Sequence, residues 1–119
     1  MKGDAVMKTK IIMGSLILVL AAFAGNAMAG SEEANYTFYG LYAGASNTGF
    51  YNTFIGSSAG NQNEGGSNNT FVGNFSGYKN TSGYENAFFG TSAGINNTTG
   101  FRNNFIGHWA GYNNSTGSY

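Results

Sequence analysis

The sequence predicts an all-β fold, a parallel β-solenoid of about five coils of 16–17 residues each. Three observations predict it: a nine-residue phrase returns at fixed spacing, glycines recur at fixed places in every copy, and a phenylalanine lies beside a second large apolar residue each time. A helix is a poor interpretation, because each interior glycine would cost it about 1 kcal/mol relative to alanine. Short strands between turns of Gly and Asn, which tolerate positive φ, fit the pattern. A repeat too short to bury its own apolar face must stack on its neighbours.

The repeats fill the chain from residue 36 onward. The phrase Asn-Thr-Phe-Ile-Gly-Ser-Ser-Ala-Gly opens the second copy, and numbering each copy from its first residue gives common positions. The repeats span residues 36–51, 52–68, 69–85, 86–102 and 103–119. Position 3 is always phenylalanine, at Phe38, Phe54, Phe71, Phe88 and Phe105. Position 5 is always glycine, at Gly40, Gly56, Gly73, Gly90 and Gly107. We predict that like residues form ladders about 4.8 Å apart, and we assign these two columns a structural role, not a binding one.

Three further columns recur with the same phase. Position 8 is always Ala or Ser, and position 9 is always glycine. Position 12 is always asparagine, at Asn47, Asn63, Asn80, Asn97 and Asn114. We expect the asparagines to form turns and to stack as a ladder.

The fourth column indicates self-association. Position 4 is always large and apolar, at Tyr39, Ile55, Val72, Phe89 and Ile106. Neighbours on a strand point to opposite faces, so positions 3 and 4 cannot both fill the interior. An outward apolar column would leave a sticky stripe on a monomer. We expect it to meet copies of itself; the alternative is a partly exposed stripe at a bend.

The N-terminal region has the pattern of a secretory signal peptide. Lysines precede an apolar run, and the small-x-small pattern of Ala27 and Ala29 follows it. We predict a signal peptide at residues 1–29 with cleavage after Ala29, a short polar leader at 30–35 and the five-repeat β-roll at 36–119. A membrane anchor is the alternative, but the apolar run is shorter than the ~20 residues that a spanning helix needs.

Composition excludes several classes of protein. Charged residues make up 8% of the chain and its formal net charge is zero, so no basic patch for nucleic acid or an anionic membrane is expected. The chain contains no cysteine, and hence no disulfide. Aromatic residues make up 16%, which argues against disorder. We therefore predict no nucleic-acid partner and no membrane insertion by the mature segment.

The repeats offer little from which to build an enzyme. They contain no Asp and no Cys, and Glu64 and Glu85 have no counterpart in the other copies with which to form a catalytic pair. His108 takes a position that is Leu, Ser, Asn or Thr in the other copies, which indicates a variable, solvent-facing site. We predict no catalytic residue, no cofactor and no metal site.

The pattern Asn-Thr-Phe-Ile/Val-Gly-x-x-Ala-Gly, followed by Asn-x-Thr-Gly as at residues 97–100, resembles a known class of bacterial surface repeats. It is similar to the YadA-like head repeats of trimeric autotransporter adhesins and to related repeats in tail-fibre-type proteins. The resemblance covers residues 36–119, although those heads repeat at a shorter period and have small residues where this chain has Phe. It implies a left-handed β-roll, a homotrimer, and a place at a Gram-negative cell surface.

The variable columns are the candidates for ligand contact. Aromatic residues are scattered over otherwise small or polar positions 7 and 10. The candidates are Tyr42, Phe75 and Trp109 at position 7, with Tyr78 and Tyr112 at position 10. They are either contact points for a sugar or a protein, or packing filler under a turn.

We expect a non-enzymatic, exported bacterial adhesin-like structural protein, held at the cell surface or outer membrane or released outside the cell. Its repeats would form a trimeric attachment head whose partner is a host matrix protein, a glycan or an abiotic surface. The alternative is a secreted functional amyloid subunit resembling curli, because an unprotected solenoid end can template the next chain. Ice binding would need an unbroken Thr ladder, and position 2 changes from Thr to Ala87 and then to Asn104.

Overall fold

A computed structural model describes residues 28–29 and 36–118 of the chain. One sheet runs through them in the order β1 to β6, with each strand beside the next in sequence. The strands are β1 Met28–Ala29, β2 Thr37–Tyr39, β3 Thr53–Ile55, β4 Thr70–Val72, β5 Ala87–Phe89 and β6 Asn104–Ile106. β1 pairs antiparallel with β2, while β2 to β6 are all parallel. The five parallel strands form a β-solenoid, as predicted, but it has about four turns where about five coils were expected, and the described residues contain no helix.

The register is that of stacked identical repeats. Phe38 pairs with Phe54, and each later phenylalanine of position 3 pairs with the one before it. Backbone hydrogen bonds continue the match outside the strands; for example, the amide of Gly60 donates to the carbonyl of Ser76 at 2.9 Å. Strand and turn backbones alike therefore pair with the adjacent coil, which leaves few backbone polar groups without partners.

The interior is a column of stacked aromatic rings. Phe54, Phe71 and Phe88 are fully buried, and consecutive rings lie 4.8–4.9 Å apart between centroids. At the first coil, the ring of Tyr36 stacks on Phe38 at 4.7 Å and caps the column. The distance between rings matches the strand spacing, so the sheet holds each ring against the next.

Glycine at position 9 leaves room for these rings. A Cβ on Gly77 would overlap the ring of Phe71, and the same holds between position 9 and position 3 of every coil. Position 5 is constrained differently, because Gly56 has a φ of 132° and a side chain there would meet the backbone of Gly73. At both of these glycines a Cβ would clash with neighbouring atoms and φ is positive, so only glycine fits without strain.

The asparagines of position 12 form the predicted ladder, but they do not form the predicted left-handed turns. Among the described residues, Asn68 is the one asparagine with positive φ. Asn63, Asn80 and Asn97 are instead fully buried. Each donates its amide to the side-chain oxygen of the asparagine one coil before, at 2.6–2.8 Å. The expectation failed because a buried amide that hydrogen-bonds along the stack is a stronger use of asparagine than a permissive φ.

A second buried asparagine column lies at position 1, which the sequence analysis did not single out. It consists of Asn52, Asn69, Asn86 and Asn103. The side-chain oxygen of Asn52 accepts from the backbone amide of Asn69 at 2.9 Å, and its amide donates to the carbonyl of Gly66 at 2.7 Å. That carbonyl also accepts from Asn63, so the glycine at position 15 joins the two ladders. No buried side-chain polar atom within the described residues lacks a partner.

Candidate interaction surfaces

The outer face of the strands carries the apolar stripe, which we define as the position 4 residues Tyr39, Ile55, Val72, Phe89 and Ile106. Each parallel strand points its central residue inward and its two outer residues away from the core. Val72 is half-buried and the other four are exposed. One strand spacing separates neighbours in the stripe, so it is continuous along the solenoid.

The surroundings of the apolar stripe are uncharged. Position 2 lies on the same strand face and reads Thr, Thr, Thr, Ala and Asn from the first coil to the last. Position 6, just after the strand, reads Leu41, Ser57, Asn74, Thr91 and His108. None of these is an acidic residue, a lysine or an arginine, so two such faces would meet without repulsion between formal charges.

A second exposed apolar feature lies past the first turn. We call it the aromatic ridge and define it as Tyr42, Phe75, Tyr78, Trp109 and Tyr112, the five residues that the sequence singled out. Phe75 and Tyr78 contact each other edge-to-face, with centroids 5.4 Å apart, and Trp109 and Tyr112 lie 5.5 Å apart. The ring of His108 lies 5.1 Å from that of Trp109. The structure thus brings positions 7 and 10 together as pairs on the third and fifth coils.

The ridge alternates along the solenoid. At position 7 the first, third and fifth coils carry aromatic residues, whereas the second and fourth carry Ser58 and Ser92. These serines are only 7% and 8% exposed, although the aromatic residues at the same position are well exposed. In a column with one strand spacing between members, a small residue between two large ones is covered by them.

Position 7 has an unusual backbone. Tyr42, Ser58, Phe75, Ser92 and Trp109 all have φ between 55° and 59°. For a bulky residue this left-handed conformation is a genuine outlier and costs roughly 1–2 kcal/mol. The last position of the repeat shares it, at Tyr51, Asn68, Glu85 and Arg102.

A polar column borders the ridge at position 11, with Gln62, Lys79 and Asn96 in the middle coils. The Lys79 ammonium donates to the side-chain oxygen of Asn96 at 3.0 Å. The Asn96 amide donates to the carbonyl of Tyr112 at 2.9 Å, next to the last aromatic pair. The ridge is therefore an apolar feature with amide groups along one side.

A third exposed column lies at position 16, where Tyr84 and Phe101 stack with centroids 4.9 Å apart. Beside it, Arg102 donates to the carboxylate of Glu85 at 2.7 Å, and both side chains are about half exposed. Position 16 reads Ser67, Tyr84, Phe101 and Ser118 in the last four coils, so the aromatic pair of the third and fourth coils is visible in the sequence. It was missed because serine takes the same position in the flanking coils.

Among the described residues, the carboxylates and the histidine do not converge on one site. Glu64, Glu85 and His108 are all exposed and lie on different positions of the repeat. Within the described residues, no group of three His, Cys, Asp or Glu side chains could hold a metal ion. Most of the predicted signal peptide and leader lies outside the described residues. Ala27 is among the residues not described, whereas Ala29 is the second residue of β1. The signal peptide stays a prediction.

The chain matches no family model, and no curated protein or solved structure matches it. Over the described part of the chain, no helix has the length and hydrophobicity required to cross a lipid bilayer.

Proposed function

We propose that this chain is a non-enzymatic bacterial structural protein whose repeats form a trimeric, left-handed β-roll that serves as an attachment head. The observation that carries the proposal is the continuous exposed apolar stripe on the outer face of the strands. Contiguous apolar surface of this kind, on a protein in water, marks an interaction site.

Within the described residues, the apolar stripe lies outside the core. The interior is already filled by the phenylalanine column and the small residues of position 8, and its polar groups are satisfied. Burying side chains such as Ile55 and Ile106 would stabilise the protein by about 25 cal/mol for each Å² of apolar surface removed from water. Every chain presents the same uncharged face, which suits association with further chains of the same protein.

The location follows from the predicted signal peptide and the resemblance of the repeats. Residues 1–29 would direct export through the inner membrane of a Gram-negative bacterium. The mature chain would then act at the cell surface, at the outer membrane, or outside the cell. A protein presented there to host matrix, glycans or abiotic surfaces needs a rigid, repeated scaffold more than it needs a catalytic site.

The test is the mass of the assembly in solution. The chain is exported from a Gram-negative host, purified, and measured by light scattering behind a sizing column. Three chains per particle are expected. Replacing both Ile55 and Phe89 by Ser should give monomers that keep their far-ultraviolet circular dichroism, whereas Tyr84→Ser, outside the stripe, should leave the trimer intact. A stable wild-type monomer would refute the proposal.

The second candidate is a functional amyloid subunit. Each coil pairs with the next in the same parallel register, from Phe38 with Phe54 to Phe88 with Phe105. The same pairing between coils of different chains would produce end-to-end stacking. Growth of fibres that are seeded by preformed fragments, and that persist in the Ile55/Phe89 double variant, would favour this candidate over the trimer.

A further inference from the structure

The repeat of the aromatic ridge differs from that of the rest of the solenoid. The core columns and the apolar stripe repeat with every coil, whereas aromatic residues at position 7 return with every second coil. Two coils correspond to roughly 9–10 Å along the axis. A ligand that matches the ridge must therefore repeat at twice the strand spacing.

That requirement separates the ridge from the apolar stripe. The stripe of a second copy, like a β-sheet edge, presents its residues at the single strand spacing and does not match the ridge. An extended β-1,4-linked hexose chain instead turns alternate rings over, so that equivalent ring faces return once per disaccharide, at about twice the strand spacing. Such ring faces are apolar, and the face of an aromatic side chain provides a suitable surface for them.

The charges along the ridge indicate a neutral ligand. The ridge residues themselves are uncharged, and the adjacent Lys79 donates to Asn96. Gln62 and Asn96 lie in the same polar column and carry amides suited to sugar hydroxyls. An acidic polysaccharide would call for a row of cations, which this column does not provide.

We propose that the aromatic ridge binds an extended, neutral, β-1,4-linked polysaccharide of the cellulose or chitin class, with Tyr42, Phe75 and Trp109 each stacking on one sugar ring of alternate position. This proposal names the ligand of the attachment role and so rests on it. Tyr78 and Tyr112 widen the contact on the third and fifth coils.

The full chain offers a direct reporter, because Trp109 is its one tryptophan and lies on the ridge. Tryptophan fluorescence is recorded during titration with cellohexaose and with chitohexaose, and binding to insoluble cellulose and chitin is measured by co-sedimentation. We expect saturable binding to at least one of the two. Dextran, whose α-1,6-linked chain is not extended in this way, should not bind; equal binding to dextran would overturn the spacing argument.

The matched variants use residues that the same columns already contain. Phe75→Ser copies the serine of neighbouring coils at position 7, and Tyr84→Ser copies Ser67 at position 16. Both aromatic side chains are 39% exposed. Phe75→Ser should weaken binding roughly tenfold, the loss of one aromatic hot spot, while Tyr84→Ser should leave it unchanged. Equal losses in the two variants would overturn the proposal.

A variant of unchanged composition tests the spacing itself. Combining Ser58→Phe with Phe75→Ser moves one aromatic side chain by a single coil, so that alternate spacing is lost. Binding should fall as far as in Phe75→Ser alone, and full retention would refute the match to a disaccharide repeat. Light scattering on the same samples distinguishes the two proposals. Trimers that bind neither polysaccharide would refute only the polysaccharide site. Monomers that bind would refute only the trimer.

Discussion

The inward and outward columns of this solenoid share one backbone but differ in how they use it. Inside, the same residue types return in coil after coil: phenylalanine at position 3, asparagine at position 12 and glycine at position 9, with asparagine at position 1 from the second coil onward. Outside, position 7 alternates between serine and aromatic residues, and position 6 differs in every coil. An inward residue must fit the coils on both sides of it, whereas an outward residue has solvent on one side. The inward columns are therefore uniform because their residues must pack, whereas the variable outward columns are free to serve recognition.

The largest expected effect comes from the phenylalanine column, tested within one coil. Phe71→Ala removes a fully buried ring from between Phe54 and Phe88 and should cost about 3–5 kcal/mol of unfolding free energy. Phe75→Ala removes the same side chain from the exposed ridge four residues later and should cost less than about 1 kcal/mol. Urea unfolding followed by circular dichroism measures both.

If Phe71→Ala fails to fold, Phe71→Leu keeps the comparison measurable, because it leaves a smaller cavity in the same place. Similar losses in the position 71 and position 75 variants would contradict the division into inner and outer columns.

Next comes the asparagine ladder. Asn80 donates to the side-chain oxygen of Asn63 and to the carbonyl of Gly83, and accepts from Asn97. Asn80→Ala leaves the buried side-chain oxygen of Asn63 without a donor and removes one of the two hydrogen bonds at the Gly83 carbonyl and at the Asn97 amide, so we expect a loss of about 2–4 kcal/mol. The exposed Asn74, whose amide makes a single bond of 3.3 Å to a backbone carbonyl, provides the control. Thermal unfolding of Asn80→Ala and Asn74→Ala should separate them clearly; equal midpoints would mean that the ladder adds nothing.

Two adjacent glycines give a sharper but smaller contrast. A Cβ on Gly66 would overlap the side chain of Asn63 and the carbonyl of Gly83, whereas a Cβ on Gly65 would meet nothing within 4 Å. Gly66→Ala should therefore cost about 1–3 kcal/mol through overpacking. Gly65→Ala should be neutral or slightly stabilising, since it reduces the freedom of the unfolded chain. Chemical denaturation of the pair tests this, and a neutral Gly66→Ala would show that the two ladders can separate at no cost.

The smallest effect is expected at the surface pair of Glu85 and Arg102. Their 2.7 Å contact lies in solvent, where such pairs contribute about 0–1 kcal/mol. Glu85→Gln should change the unfolding midpoint by only a small amount, and the difference from wild type should vanish in 1 M salt, where the Debye length is about 3 Å. A large loss that persists in high salt would place this pair with the inner columns.

The period, the parallel stacking, the inward phenylalanine and the outward residue beside it could all be predicted from the sequence. They could be predicted because strand side chains alternate between two faces and because five copies align without ambiguity. The glycine at position 15 is visible in the sequence as well, but its structural role is not. Only the structure places it against both asparagine ladders.

The role of asparagine in this protein could not be predicted before the coils were seen stacked. By local propensity, Asn belongs in left-handed turns, yet the left-handed positions are held mostly by aromatic, charged and serine residues, while most position 1 and position 12 asparagines are buried. The pairing of Phe75 with Tyr78, and of Trp109 with Tyr112, likewise appears only once the turn is folded. Propensity describes one residue in isolation, whereas a ladder forms only when coils stack and each amide finds its partner one turn away.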